Sequence, residues 1–260
     1  MKTITSHVMQ FPTQLRHWRK QRRMSQAALG EQAEVSTRHL SFLENGRSRP
    51  SRQMVLVLAS VLEVPLRERN ALLASAGFAP AYSDRDLGDP ELAQVRAAVD
   101  FVLERSEPNP ALAVDRSWKL RGMNRGAQKM SAFLVDPHPE LLAVADNAMH
   151  LLFHPRGIRR FVVNWPEVCW VTLDRLRQDG LRQPESAALY EELVRYPLPP
   201  RPPEDRSPIL IPVHLRREDA ELRFLTLLTT LGSAVDATAQ ELTVEVYFPL
   251  DEATKAWLAG

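Results

Sequence analysis

Thr37, Arg38, Ser41 and Phe42 carry the most legible chemistry in this chain of 260 residues. Their spacing places them side by side on one face of a helix. A guanidinium at such a position can donate two parallel bonds to a guanine edge. A threonine methyl or a phenyl ring can lie against the methyl of thymine. Gln26, the backbone near Asn45, and Arg47, Arg49 and Arg52 supply donors for phosphate, and such contacts fix register without reading sequence. The candidate DNA contacts are therefore Ser25, Gln26, Ser36, Thr37, Arg38, Ser41, Phe42, Asn45, Arg47, Arg49 and Arg52.

These residues need a frame of two short helices. Ser25 is a good N-cap, since its hydroxyl can accept from an orphan N–H of the first turn. Gln26 to Ala33 then read as a helix of small residues that a neighbour can approach closely. Val35 starts a turn, and Ser36 caps a second helix from Thr37 to Glu44, with Leu40 and Leu43 facing inward. Asn45-Gly46 ends it, because glycine tolerates the left-handed conformation at C′. Two helices in tight succession, the second presenting its N-terminal residues, form a helix-turn-helix. The bland alternative is a helical hairpin with solvated arginines. The two caps, the glycine stop and the clustered charge weigh against it.

Around this unit, Phe11, Leu15 and Trp18 space out a first helix coated by Arg16, Arg19, Lys20, Arg22 and Arg23. Pro50-Ser51 opens a fourth helix, with Val55, Leu58, Ala59 and Leu62 inward. Leu66 to Ala76 supply a fifth, stopped by Gly77. Five helices in about 70 residues make a compact all-α domain. This head also resembles the Xre-type domain of phage repressors, in the segments SQAALG, STRHLSFLENG and RPS.

The net charge of +1 conceals an asymmetry. Residues 1–80 hold 12 Lys+Arg against 5 Asp+Glu, and the remainder 21 against 27, so a head of +7 joins a body of −6. A basic head on an acidic body suits a nucleic-acid module with a regulatory domain. Hydrophobic content of 44% supports two real cores. One cysteine, Cys169, excludes an internal disulfide and any cysteine-cluster metal site. Its apolar neighbours mark it as a small core residue. No apolar run is long enough for a membrane span, and the first twenty residues carry no hydrophobic signal core. The expectation is a cytoplasmic protein with no membrane partner.

The expected domains are 1–80, a linker over 81–90, and 91–260. In the body, Leu92, Val95, Val99 and Val102 share one side of a helix ending near Arg105. Residues 111–121 read as a hairpin bent at Asp115–Ser117, and 124–134 as a helix. Residues 140–180 look helical, with interruptions at 154–157 and near 164–166, and Glu185 to Tyr196 add a short helix. Seven prolines between Pro197 and Pro212 make a stiff connection. Three strands follow, over about 209–215, 222–231 and 240–248. Leu242, Val244, Val246 and Phe248 alternate strictly in the last. The middle strand is apolar on both faces, as a strand covered on both sides should be. Periodicity alone yields a mixed α/β domain of unstated purpose, with no internal repeats.

The body resembles the ligand-binding domain of MmyB-like transcription regulators. The similar segments are PALAVDRSWKLRGMNRGA, LLFHPRGIRRFVVNWPEV, LTLLTTLGSAVDATAQELTVEVYFPLDEAT and the RERNALLASAGFAPAY junction. The resemblance implies a PAS-like α+β sensor with an antiparallel sheet, holding a fatty-acid-like molecule.

Several constellations in the body have competing readings. Asp146, His150 and His154 recur every four residues, a spacing that suits zinc. His154 precedes Pro155 and no HExxH glutamate is present, so a helix edge is the better reading and no metal is expected. Nucleophile elbows, P-loops and G-x-G-x-x-G motifs are absent, so no enzyme is expected. Arg160, beside Arg159, could hold a ligand carboxylate near Asn164; otherwise the arginines are surface residues and Asn164 caps the next helix. Phe224, Thr226, Leu228 and Thr230 form one face of the middle strand beside Val244. With Met123, Met130, Phe133, Leu152 and Phe161 opposite, they form the candidate pocket, against the alternative that the stripe is ordinary core. Asp236, Asn124 and Trp165 recur in the segments of the resembled family and suggest no ligand role by themselves; Asp236 reads as shaping a turn between strands.

The expected function is a DNA-binding transcription regulator, most often a repressor in this architecture. It would be a homodimer on a pseudopalindromic double-stranded operator. No cofactor is expected beyond a possible bound fatty acid as effector. The alternatives are a body that only dimerises or binds a protein, and an antitoxin-like regulator with a partner toxin.

Overall fold

The computed structural model describes residues 10–181, 183–203, 210–232 and 234–260. The expected start of the third-last strand at 209, part of the proline-rich connection (204–208) and the first nine residues lie outside these. The chain divides into two units, residues 1–85 with 234–237, and residues 86–233 with 238–260.

The first unit contains helices α1 (Phe11–Gln21), α2 (Gln26–Gln32), α3 (Thr37–Glu44), α4 (Arg52–Val61) and α5 (Leu66–Ser75). Three of them start on a serine. Ser25, Ser36 and Ser51 accept from the backbone N–H groups of Ala28, His39 and Met54 at 3.0, 3.2 and 3.1 Å, which satisfies donors the helix leaves orphaned. Leu15, Leu29, Leu40, Leu43, Leu58 and Leu62 are fully buried in one apolar cluster. The α2–α3 turn closes tightly at Gly30, where an added Cβ would stand 2.5 Å from the Val35 carbonyl oxygen. Residues past α5 stay attached to this unit. Asn70 accepts from the Ala81 and Tyr82 N–H groups and donates to the Tyr82 carbonyl at 2.7 Å.

The second unit is α+β. It runs through α6 (Ala93–Arg105), β1 (Ala111–Val114), β2 (Leu120–Met123), α7 (Arg125–Leu134), α8 (Pro139–Leu142), α9 (Ala148–Phe153), α10 (Trp165–Gly180), α11 (Pro184–Leu193), β3 (Val213–Arg217), β4 (Ala220–Thr230), α12 (Ala237–Glu241), β5 (Thr243–Pro249) and α13 (Glu252–Ala259). The strands form one antiparallel sheet in the order β2-β1-β5-β4-β3. This is the α+β body, on a five-helix head, that the sequence called for. Asn124 builds the joint at the sheet's start. It caps α7 through the Ala127 N–H, accepts from the Ala111 N–H, and donates to the carbonyls of Leu103 and Asn109.

Register decides which residues share a face, because side chains alternate with a period of two. Leu112 lies opposite both Met123 and Glu245, Thr226 opposite Tyr247, and Phe224 opposite Val213. These residues form one face. Ala113, Val244 and Thr229 form the other, where Val244 packs with Leu103, Val99 and Val102 of α6.

The expectation of a middle strand covered on both sides fails over half its length. β3 pairs with β4 only over residues 220–224, because β3 has five residues and β4 eleven. Among the described residues the second half of β4 is therefore a sheet edge, with Leu227 and Leu228 51% and 43% exposed.

Candidate nucleic-acid interface and ligand cavity

On the head, Thr37 and Arg38 are exposed in the first turn of α3, and Ser41 and Phe42 half-buried one turn later. The Arg38 guanidinium lies 5.5 Å from the Phe42 ring centroid, a cation–π contact that pre-orders it without consuming its donors. Arg38, Arg47, Arg49 and Arg52 are exposed and form no ion pair among the described residues. Ser25 and Ser36 hold their helix starts, each keeping a hydroxyl proton to donate.

Two expected phosphate donors are otherwise engaged. The Gln26 amide donates to Glu44 Oε2 at 2.9 Å, so its side chain points into the unit. The N–H groups of Asn45, Gly46 and Arg47 close onto the carbonyls of Ser41, Leu43 and Phe42. The left-handed Gly46 (φ 68°) permits this ending, and it leaves those three amides none to offer a phosphate. The Asn45 side chain is engaged as well, donating to the Ser41 carbonyl and accepting from Arg16.

Glu44 is the hub beneath this surface. It is 3% exposed and accepts from Arg19 Nε and Nη2 at 2.6 and 2.8 Å and from Gln26. Burial pushes its carboxyl up, but the bonds from Arg19 and Gln26 and the charges of Arg19 and Arg16 outweigh it. The Glu44 pKa ends below the ordinary range. α1, α2 and α3 are thereby tied through one carboxylate.

In the body, the sheet face carrying Leu112, Met123, Thr226 and Tyr247 is covered by α7, α9 and α10, and a cavity of about 270 Å³ remains between them. Of the expected pocket residues, Met123, Met130, Leu152 and Thr226 line it. Eight others lie elsewhere, for identifiable reasons. Val244 is on the opposite sheet face. Leu228 and Thr230 are exposed on the half of β4 that pairs with β5 but not β3, beyond the cavity. Phe224 is fully buried in the neighbouring core, edge-on to Tyr247 at 6.0 Å. Arg160 is ion-paired with Asp136 and stacked on Phe161 at 4.6 Å. Arg217 reaches the same Asp136 and lies over the Phe133 and Phe161 rings, at 5.7 and 4.9 Å. This network holds Phe133, Arg160 and Phe161 outside the cavity. Asn164 pins β3 to the start of α10, donating to the Pro212 carbonyl and accepting from the His214 N–H. It makes no side-chain cap.

Besides Thr226, the cavity has polar residues that the sequence reading did not single out. Thr172 and Arg175 come from one face of α10, and Glu245 and Tyr247 from β5. The Tyr247 hydroxyl donates to Glu245 Oε2 at 3.2 Å. Burial raises the Glu245 carboxyl above the ordinary range, opposed by the Arg175 charge and the Tyr247 bond. The available signal was a glutamate inside the otherwise apolar run VEVYF. Trp165, by contrast, packs edge-on against Phe153 at 5.1 Å in the core, and Asp236, in the connection between β4 and β5, pairs with Arg85 at 3.3 Å.

His150 and His154 do not converge with Asp146. His150 bonds Tyr196 at 3.1 Å and Glu192 at 3.0 Å, His154 ends α9, and Asp146 lies 3.7 Å from Lys119. Among the described residues no three side chains group to hold a metal ion, and no helix is long and apolar enough to cross a membrane. Cys169 is fully buried, and burial pushes its thiol up to about 12, against a smaller opposing pull from Arg159.

Residues 95–259 match the MmyB-like transcription regulator ligand binding domain. Residues 10–72 match a helix-turn-helix domain. Neither is an enzyme family. No curated protein matches the chain. One solved structure, of RsLOV with a single substitution, matches over 63% of this chain and 75% of that one, at 14% identity and a TM-score of 0.31. That likeness is too slight to carry any assignment.

Proposed function

The chain belongs to the MmyB-like transcription regulators, DNA-binding proteins with a ligand-binding domain, and from that premise we propose that it is a repressor whose grip on its operator is set by a fatty-acid-like effector in the body's cavity. The single observation carrying this reading is the apolar cavity under the sheet, walled by adaptable side chains such as Met123, Met130, Met149 and Leu152. A pocket that is mostly apolar with few polar groups suits an acyl chain with one polar head. The head group would meet Arg175, the cavity's guanidinium, in the role the sequence had suggested for Arg160.

The DNA-reading side chains would be Thr37, Arg38, Ser41 and Phe42, with phosphates held by Arg47, Arg49 and Arg52. A symmetric dimer would place two α3 helices in successive major grooves, so the operator would be a pseudopalindrome with half-sites about one helical turn apart. An effector acts here only through its different affinity for the DNA-competent and DNA-incompetent states. The cavity favours this reading over a body that merely dimerises or an antitoxin-like body that binds a partner protein.

The test is mass spectrometry of an organic extract from the purified, denatured protein, with calorimetric titration of decanoic acid into the native protein. A stoichiometric acyl lipid, or saturable uptake of decanoic acid, is expected. An extract without lipid together with no uptake would contradict the effector reading and favour a body that binds a protein.

A further inference from the structure

Two polar groups of the cavity wall, Glu245 and Arg175, keep hydrogen-bonding capacity that the described residues do not use. Glu245 is 5% exposed, and the Tyr247 hydroxyl occupies only its Oε2. Its Oε1 accepts no hydrogen bond among the described residues and belongs to a side chain lining the cavity. Arg175 enters from α10. It stacks on the Trp118 ring at 4.8 Å, and its buried Nε has no hydrogen-bond partner among the described residues. The Arg175 guanidinium, which donates no hydrogen bond among the described residues, and the Glu245 carboxyl thus leave donor and acceptor capacity unused in a low-dielectric wall, where unmade bonds are expensive. A bare carboxylate would answer Arg175 but set a second negative charge beside Glu245, and two such groups at close range do not both stay ionised.

Resting on the reading of the cavity as an acyl-chain site, we propose that Glu245 sets its head-group specificity. The cavity takes a polar head that accepts from Arg175 and donates to Glu245. A carboxylic acid therefore enters with one proton, taken from solvent and held between its carboxylate and Glu245, whereas a primary amide brings its own donor and needs none. The charged and titratable groups facing Glu245 are Tyr247 on its own strand and Arg175 on α10. Its cross-strand partners on β1 and β4, Leu112 and Leu228, are apolar. Burial already favours the protonated carboxyl, and an anionic head favours it further. The contribution is therefore present below the Glu245 pKa of the ligand-free protein and is lost as pH rises through it.

The experiment titrates decanoic acid and decanamide into the full chain between pH 5.5 and 9.5. Buffers of differing ionisation enthalpy report proton uptake, and the same titrations are made on Glu245→Gln. For the acid, affinity should be level at the low end and then fall by up to ten-fold per pH unit, with close to one proton taken up. The amide, which needs no added proton, should show no loss of affinity as pH rises. Glu245→Gln keeps a donor and an acceptor but no titrating proton, so its acid profile should be flat. If both ligands bind the wild-type protein with flat profiles and no proton uptake, the head-group inference fails while the acyl-chain reading stands. If neither ligand binds at any pH, the acyl-chain reading fails and the inference with it. Circular dichroism checks that Glu245→Gln folds. Should it not, the wild-type comparison of acid with amide decides alone.

Discussion

Arg38 stands exposed at the second position of α3 with no carboxylate to neutralise it among the described residues, and its energetic role belongs to that one side chain. Arg38→Ala should cost about 1–3 kcal/mol at the operator and relax the preference at one base position. An unchanged sequence preference in a selection from random duplexes would show that Arg38 reads no base. Arg49 lies past the helix end, in a stretch with only positive charge. Arg49→Ala should therefore weaken all duplexes alike and lower the salt slope by about one. A loss confined to the operator would contradict a phosphate contact. At Cys169 the thiol stays protonated near neutral pH, since burial holds its pKa near 12. A thiol reagent should label it only on unfolding, and rapid labelling of the native protein would show the core to be open there.

At the scale of elements, α1, α2 and α3 depend on the Glu44 carboxylate, and removing it leaves Arg19 half-buried without its partner. Glu44→Ala should cost about 3–5 kcal/mol of head stability, read by chemical denaturation. The pH sign follows from the lowered pKa. The stabilisation is fully present above the ordinary value of 4.5 and fades as pH falls through the depressed value of the folded state. In the body, Thr226→Trp should fill the cavity and block acyl uptake while leaving DNA affinity of the ligand-free protein intact. Undiminished uptake would remove Thr226 from the cavity wall. The head was legible in the sequence because its signals are local: Ser25, Ser36 and Ser51 announce three helix starts, and Gly46 one stop. The cavity was only partly legible because β5 offers two stripes. Leu242, Val244, Val246 and Phe248 look like the inward one, yet Glu245 and Tyr247 line the cavity. The choice is made by the register of β5 against Leu112 of β1 and Thr226 of β4, and no local pattern encodes that pairing. The same long-range pairing leaves half of β4 with β5 on one side and no strand of the described residues on the other, which its apolar second half did not reveal.

At the scale of the whole molecule, a head of +7 is joined to a body of −6, so non-specific affinity should reside in the head and fall steeply with salt. Regulation requires the cavity to prefer one of two states of the protein, and the shift in operator affinity can be no larger than that preference. The most direct measurement is therefore the affinity of the full chain for a duplex selected from a random pool, by fluorescence anisotropy, with and without saturating decanoic acid. A weaker grip with ligand is expected, by roughly 5–150-fold as typical coupling energies allow, and no change in Thr226→Trp. Equal affinity with and without ligand, in a protein shown to have bound it, would contradict effector control of DNA binding.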